Sequence, residues 1–230
     1  MEFKSTDSFG GVKIFSSEAN DGEMSYLSAD GPKNLKRYLA KIGVARPFVS
    51  ASQPHETKIE VVSRAGRVEG ADGLITKDDL TLAVKTADCI PLMLFDRKNG
   101  AISAIHVSRQ NLTSGIISKS LKSALENQKL DPADVSIFFG PHIHRENYQV
   151  KDEVIEKLVG TKWEQFLSQK DDKTFFDLAE AAKSELEAIG LKRDNIVDCG
   201  IDTFTDNRFY SARRQAGNPS ARFVTVIFKV

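Results

Sequence analysis

Three apolar runs follow one another closely in the middle of the chain, Leu80 to Lys85, Ile90 to Phe95 and Ala101 to His106. Each has the length of a strand and is bounded by polar or turn-forming residues. Phe48 to Ala51 and Ile59 to Val62 predict two earlier strands, with Gln53-Pro54-His55 in the connection between them. Gly66, Gly70 and the charges around them predict a surface loop from Arg64 to Asp72. Elsewhere the apolar spacing turns helical. Leu35, Tyr38, Leu39 and Ile42 recur at helical intervals over Lys33 to Ile42, and Gly43 supplies the stop. Thr113 to Gln128 sets Ile116, Ile117, Leu121, Ala124 and Leu125 on one helical face. Further helices are predicted over Asp152 to about Leu167 and over Phe175 to Ile189, which ends at Gly190. Val12 to Phe15 reads as an edge strand in a Ser-, Gly- and Asp-rich opening, and Val135 to Phe139, Ile196-Val197 and Phe223 to Val230 as later strands.

Strands and helices mix without strict alternation, and no repeat, low-complexity tract or Pro-rich linker divides the chain. The pattern predicts one α/β domain over residues 1–230. A mixed sheet, or two sheets with helices outside, fits better than a regular doubly wound fold.

Composition narrows the partners. With 32 basic and 32 acidic residues in 230, the charges cancel, so no global field draws in nucleic acid or anionic lipid. Met1 to Asp7 has no signal-peptide pattern, and no apolar run approaches the roughly 20 residues of a membrane helix, so a soluble cytoplasmic protein is expected. Two cysteines, Cys89 and Cys199, make no disulfide framework; each is open to being a ligand, a nucleophile or plain core.

The candidate chemistry gathers around Cys89. It follows Thr86-Ala87-Asp88 and precedes Pro91, whose missing N–H suits a strand entrance, so Asp88 and Cys89 lie at an element end. His106 closes the next strand, just before Ser108-Arg109-Gln110-Asn111. One thiol and two imidazoles, His55, Cys89 and His106, satisfy the ligand count of a catalytic zinc. Their spacing alone matches no zinc finger and fits a core cysteine with two unrelated histidines as well. Cys89 with His106 as base is a third arrangement, that of a cysteine hydrolase. His142 and His144 would share a face on a strand and could chelate a metal, but solvent-facing loop histidines are the simpler expectation.

Thr86 to Pro91, Ala104-Ile105-His106, Gln53-Pro54-His55, Gly140-Pro141 before Tyr148-Gln149-Val150, and Phe209 to Arg214 occur in the order found in the YfiH family (DUF152), once labelled a multicopper polyphenol oxidase or laccase family. The chain resembles that family from about residue 48 onward. The resemblance implies a three-layer α/β fold of the YfiH-like, CNF1-like cysteine hydrolase kind, with mixed sheets flanked by helices. It implies zinc held by His55, Cys89 and His106, with copper the less favoured metal. It also implies purine nucleoside phosphorolysis, with adenosine deamination and methylthioadenosine phosphorolysis on the same site; bacterial members have been linked to peptidoglycan-precursor editing.

On that reading purine nucleoside and phosphate are the partners of a monomer or homodimer, with Asp88 and Cys89 at the reacting centre. Asp88 would accept an N–H from a ligand histidine, and Asp72 would cap or orient the loop bearing the site. Arg109, Arg213 and Arg214 are the candidate phosphate ligands, through their planar guanidinium groups. Cys199 is read as core. Four histidines and two cysteines are too few for a multicopper cluster. Ser108 to Asn111 replaces the family's Gly-Trp-Arg-Gly, and so removes a tight turn and a stacking aromatic from the expected substrate wall. That change motivates an alternative, a non-catalytic purine- or metal-binding descendant of the fold.

Overall fold

The computed structural model describes residues 1–3, 10–215 and 221–230. In chain order the strands are β1 (Glu2–Phe3), β2 (Val12–Ser16), β3 (Phe48–Ala51), β4 (Ile59–Val61), β5 (Gly66–Val68), β6 (Gly73–Thr76), β7 (Thr81–Thr86), β8 (Ile90–Asp96), β9 (Ile102–Val107), β10 (Val135–Phe139), β11 (Gln149–Val150), β12 (Leu167–Lys170), β13 (Lys173–Phe176), β14 (Ile196–Asp198) and β15 (Phe223–Lys229). The helices are α1 (Gly31–Lys41), α2 (Arg109–Ser114), α3 (Lys122–Asn127), α4 (Asp152–Leu158) and α5 (Leu178–Ala188). One mixed sheet runs β1-β2-β15-β7-β3-β5, a second β14-β10-β8-β9-β6-β4, and a small third sheet β11-β13-β12.

Alternation along the strands assigns each face a partner. Leu82 and Val84 of β7 and Ile227 of β15 meet Met93, Ile102, Ala104 and Phe138 between the two large sheets. Ile90, Leu92, Leu94, Ile105 and Val107 of the second sheet point the other way, onto Leu112, Ile117, Leu121 and Leu186 of the helical layer. Ala83, Val224 and Val226 of the first sheet face Leu35, Tyr38 and Leu39 of α1. The mixed sheets flanked by helices are therefore present, and α1 adds an outer tier to the two sheets and the helical layer.

Local signals account for the departures from the predicted elements. The helix expected over Thr113 to Gln128 starts earlier, as α2, and breaks at Gly115, whose φ of +104° no helix accepts. A π-helical turn, Ile116–Leu121, then leads into α3, keeping Ile116, Ile117, Leu121 and Leu125 in the core as their spacing predicts. The helix expected from Asp152 to Leu167 stops at Leu158, because Val159 turns extended; Trp163 still packs into the core from the segment beyond. Phe175 and Phe176 lie in β13 and not in a helix. Asp177 starts α5 instead, its carboxylate accepting the Glu180 N–H at 2.9 Å. The segment from Arg64 to Asp72 is likewise no mere surface loop: it contains β5 and ends on the fully buried Asp72. Among the described residues, no helix is long and apolar enough to cross a membrane.

Candidate metal centre

Strand register brings the separated residues together. In the antiparallel β8–β9 pair Pro91 stands opposite His106 and Ile90 opposite Val107, so Cys89, just before β8, reaches the end of the sheet beside His106. On the other flank of β9, Gly73 stands opposite Ile105, and the His106 N–H donates to the Asp72 carbonyl at 2.8 Å. β4 runs parallel to β6, with the Lys58 carbonyl accepting the N–H groups of Asp72 and Gly73 at 3.0 and 3.1 Å. The loop before β4 carries His55 over this row. The ligand atoms of His55, Cys89 and His106 all lie within 4.8 Å of one another, and the two imidazole rings meet edge to face at 4.7 Å.

Asp72 organises the set. Its Oδ1 lies 2.7 Å from His106 Nδ1 and accepts the His55 N–H at 3.1 Å, while Oδ2 accepts the Glu56 N–H at 2.8 Å. A histidine whose Nδ1–H is held by a carboxylate keeps its Nε2 lone pair for the site, the arrangement that orients metal-bound imidazoles. Gln53 secures the same loop from the other sheet: its amide accepts the Lys85 N–H at 2.9 Å and donates to the Lys85 carbonyl at 2.6 Å. These anchors support unusual backbone. Gln53, His55 and Asp88 take φ of +62°, +66° and +85°. Left-handed conformations at non-glycine residues cost on the order of 1–3 kcal/mol each and persist only where surrounding structure imposes them.

Zinc bonds of about 2.0–2.3 Å set tetrahedral ligand atoms roughly 3.5 Å apart, so small side-chain adjustments would close this trio around an ion. The donor chemistry fits zinc: one sulfur, two nitrogens and room for a further ligand. Burial opposes a charge on His106, but the neighbouring Cys89 sulfur and the hydrogen-bonded Asp72 outweigh it and raise the imidazole to about 9, so a cation entering the site would displace a proton there. Burial and the neighbouring His106 charge push His55 the other way. Cys199 has no such company; burial raises its thiol to about 12, and the partly buried side chain packs against the core between the two sheets.

A cavity of about 520 Å³ opens over the trio, bordered by Tyr26, Tyr148, Arg67, Lys85, Arg213 and Arg222. The residues singled out in the sequence reach it unequally. Arg213 lines it, with its guanidinium 5.5 Å from the centre of the Tyr148 ring. Arg214 does not, because its guanidinium donates to the carbonyls of Thr203 at 2.6 Å, Phe204 at 2.7 Å and Phe209. Arg109 is not among the lining residues; its charge acts on the Tyr148 hydroxyl from nearby.

Asp88 borders the cavity, yet it is not the acceptor for a ligand histidine. Its oxygens take the Thr203 hydroxyl and the Arg213 N–H, each at 2.7 Å, and Asp72 fills the expected role. Ser108 to Asn111 lies outside the lining. Ser108 caps α2, Asn111 returns a bond to the Ser108 N–H at 2.8 Å, and the Asn111 amide donates to the His106 carbonyl at 2.9 Å. The altered segment therefore clamps His106 from behind instead of forming a substrate wall. His142 is buried and not solvent-facing, with Nδ1 at 2.8 Å from the Gly140 carbonyl; among the described residues only His55, Cys89 and His106 group closely enough for a metal.

The family described as multi-copper polyphenol oxidoreductase laccase matches residues 18–229. A purine nucleoside phosphorylase of Campylobacter jejuni subsp. jejuni serotype O:2 is 31% identical over 182 residues, 78% of this chain and 76% of its own. Adenosine deaminase RL5, from an unknown prokaryotic organism, is 25% identical over 79% of this chain and 75% of its own. The crystal structure of YlmD from Geobacillus stearothermophilus superposes with a TM-score of 0.85 over 97% of this chain and 94% of that one, at 21% identity.

Proposed function

This chain belongs to the family described as multi-copper polyphenol oxidoreductase laccase, and from that premise we propose that it is a zinc-dependent purine nucleoside phosphorylase that also deaminates adenosine and cleaves methylthioadenosine. The observation that carries the reading is the convergence of His55, Cys89 and His106 at the floor of a cavity large enough for a nucleoside. The names of its relatives, a purine nucleoside phosphorylase and an adenosine deaminase, support the substrate class. The donor count speaks against oxidase chemistry, since the chain has four histidines in all.

Zinc held there would supply a Lewis acid that makes a nearby water a stronger acid at neutral pH. The protein's own groups do the rest. Tyr26 and Tyr148 border the cavity with aromatic rings suited to a purine, and Arg213 brings a guanidinium to the same space. In phosphorolysis a phosphate oxygen bonds to the anomeric carbon as the glycosidic C–N bond breaks, its electron pair passing to the purine, which takes a proton. In deamination a water oxygen bonds to the purine carbon bearing the amino group, and ammonia leaves with the transferred proton. Asp88 keeps the Arg213 backbone in place through the bond to its N–H. The Asn111 amide, held by Ser108, supports the His106 carbonyl, so the altered segment serves a ligand residue and does not by itself favour a non-catalytic descendant. Free thiols at Cys89 and Cys199 agree with a cytoplasmic setting, where a monomer or homodimer is the assembly we assign.

A second reading has a specific observation behind it: His106 has the Asp72 carboxylate at Nδ1 and the Cys89 sulfur within 4.8 Å, the three residue types of a cysteine hydrolase that could act on a peptidoglycan precursor. Incubating zinc-loaded protein with adenosine, with and without phosphate, decides between them. Adenine in the phosphate arm and inosine in either arm are expected, both abolished by a chelator. No product in either arm refutes the proposal, and full activity in chelator points to the thiolate.

A further inference from the structure

Lys85 is the buried charge that the site's chemistry has not used. It occupies the end of β7, on the face that Ala83 presents to α1, and is only 7% exposed. Its Nζ donates to the Ala51 carbonyl at 3.2 Å and sits 4.0 Å from the centre of the Tyr26 ring. Arg67 reaches the same ring at 4.7 Å, so two cations converge on one aromatic at the cavity's edge. The Arg67 guanidinium is paired with Glu69 at 3.1 Å. Lys85 has no ion-pair partner among the described residues. Glu69 and then Glu23 favour its charge from a distance; Glu23 accepts the Ser25 N–H through Oε1 and keeps Oε2 buried, and neither forms an ion pair with Lys85. Among the described residues that line the cavity, Arg213 adds a further guanidinium, and the carboxylate of Asp88 already holds the Thr203 hydroxyl and the Arg213 N–H.

A buried ammonium beside a guanidinium, without a carboxylate of its own, is unfavourable until an anion arrives. Burial, and then the Arg67 charge, hold the Lys85 ammonium down to about 7, the electrostatic mark of that unfavourable state. From this geometry we propose that Lys85, with Arg67, forms the subsite that binds the phosphate co-substrate and so sets the preference for phosphorolysis over deamination. The inference rests on the phosphorylase reading and names the residues that would give it phosphate. A phosphate oxygen has the charge and acceptor capacity to take the Lys85 protons that the Ala51 carbonyl and the Tyr26 ring leave unshared. Lys85 is a better centre for the subsite than Arg214, whose guanidinium is already committed to three carbonyls.

The same chemistry could come from free orthophosphate or from the phosphate of a nucleotide, and the subsite proposed here is for the former. Zinc-loaded wild type and Lys85→Met are each titrated by calorimetry with inorganic phosphate and, separately, with adenosine 5′-phosphate. Phosphorolysis is then followed against both substrates. Inorganic phosphate binding is expected in wild type and lost in the variant, with the KM for phosphate rising at least about tenfold more than the KM for adenosine. Lys85→Gln serves if the methionine variant does not fold. Equal phosphate binding by wild type and variant, an equal shift of both KM values, or binding of the nucleotide alone would overturn the subsite. A wild type that binds phosphate through Lys85 yet turns over no nucleoside would leave the subsite standing and remove the phosphorylase reading.

Discussion

Asp72 and His106 are joined twice, through the 2.7 Å contact of carboxylate and imidazole and through the 2.8 Å bond from the His106 N–H to the Asp72 carbonyl. The same carboxylate also receives the N–H groups of His55 and Glu56, so one side chain fixes two of the three ligand residues. In Asp72→Asn an amide NH2 must replace one acceptor and face a backbone donor. Zinc affinity is therefore expected to fall about 10–100-fold, measured by competition with a chromophoric chelator. Undiminished affinity would show that Asp72 does not orient the ligands.

Cys89 is the only sulfur in the trio, and its removal separates ligation from nucleophilic attack. Cys89→Ala is expected to lose stoichiometric zinc in elemental analysis, because two imidazoles alone leave a weak site. A variant that is inactive yet keeps its full zinc complement would assign the sulfur to bond-making with substrate.

The contrast between Arg213 and Arg214 gives a stability prediction. Arg214→Met leaves three loop carbonyls without their charged donor, and a loss of roughly 2–4 kcal/mol is expected in urea unfolding. Arg213→Met removes a side chain from the cavity rim, so its effect belongs mainly in KM. Equal stability losses in the two variants would contradict this division.

The helical face of Ile116, Ile117, Leu121 and Leu125 and the β7, β8 and β9 strands were legible in local periodicity, because burial there depends on neighbours in sequence. The ligand trio became visible only through motif resemblance, since its closeness depends on the register of β8, β9 and β6. Asp72 and Asp88 show the limit most clearly. Both are buried aspartates at a strand entrance. Which one meets a histidine is decided by the β6–β9 pairing and by Thr203 and Arg213, which arrive from much later in the chain. Lys85 read as the polar end of a strand, for its burial depends on Tyr26 and Arg67 covering it.

Lys85 also predicts how stability varies with pH. Its folded pKa is lowered to about 7 from an ordinary value of 10.5. Between those values the unfolded chain holds a proton that the folded protein lacks, so this group makes stability rise with pH across that window. Below about 7 the ammonium is charged in both states and the cost of burying it is present in full; above 10.5 that cost has gone. Lys85→Met should therefore melt higher than wild type at pH 6, with the gap closing as pH rises toward 10. Inorganic phosphate should narrow the gap at low pH by stabilising wild type alone. Thermal unfolding at several pH values, with and without phosphate, measures both effects. A gap that stays constant across the range would mean that the Lys85 ammonium is not held down by its surroundings.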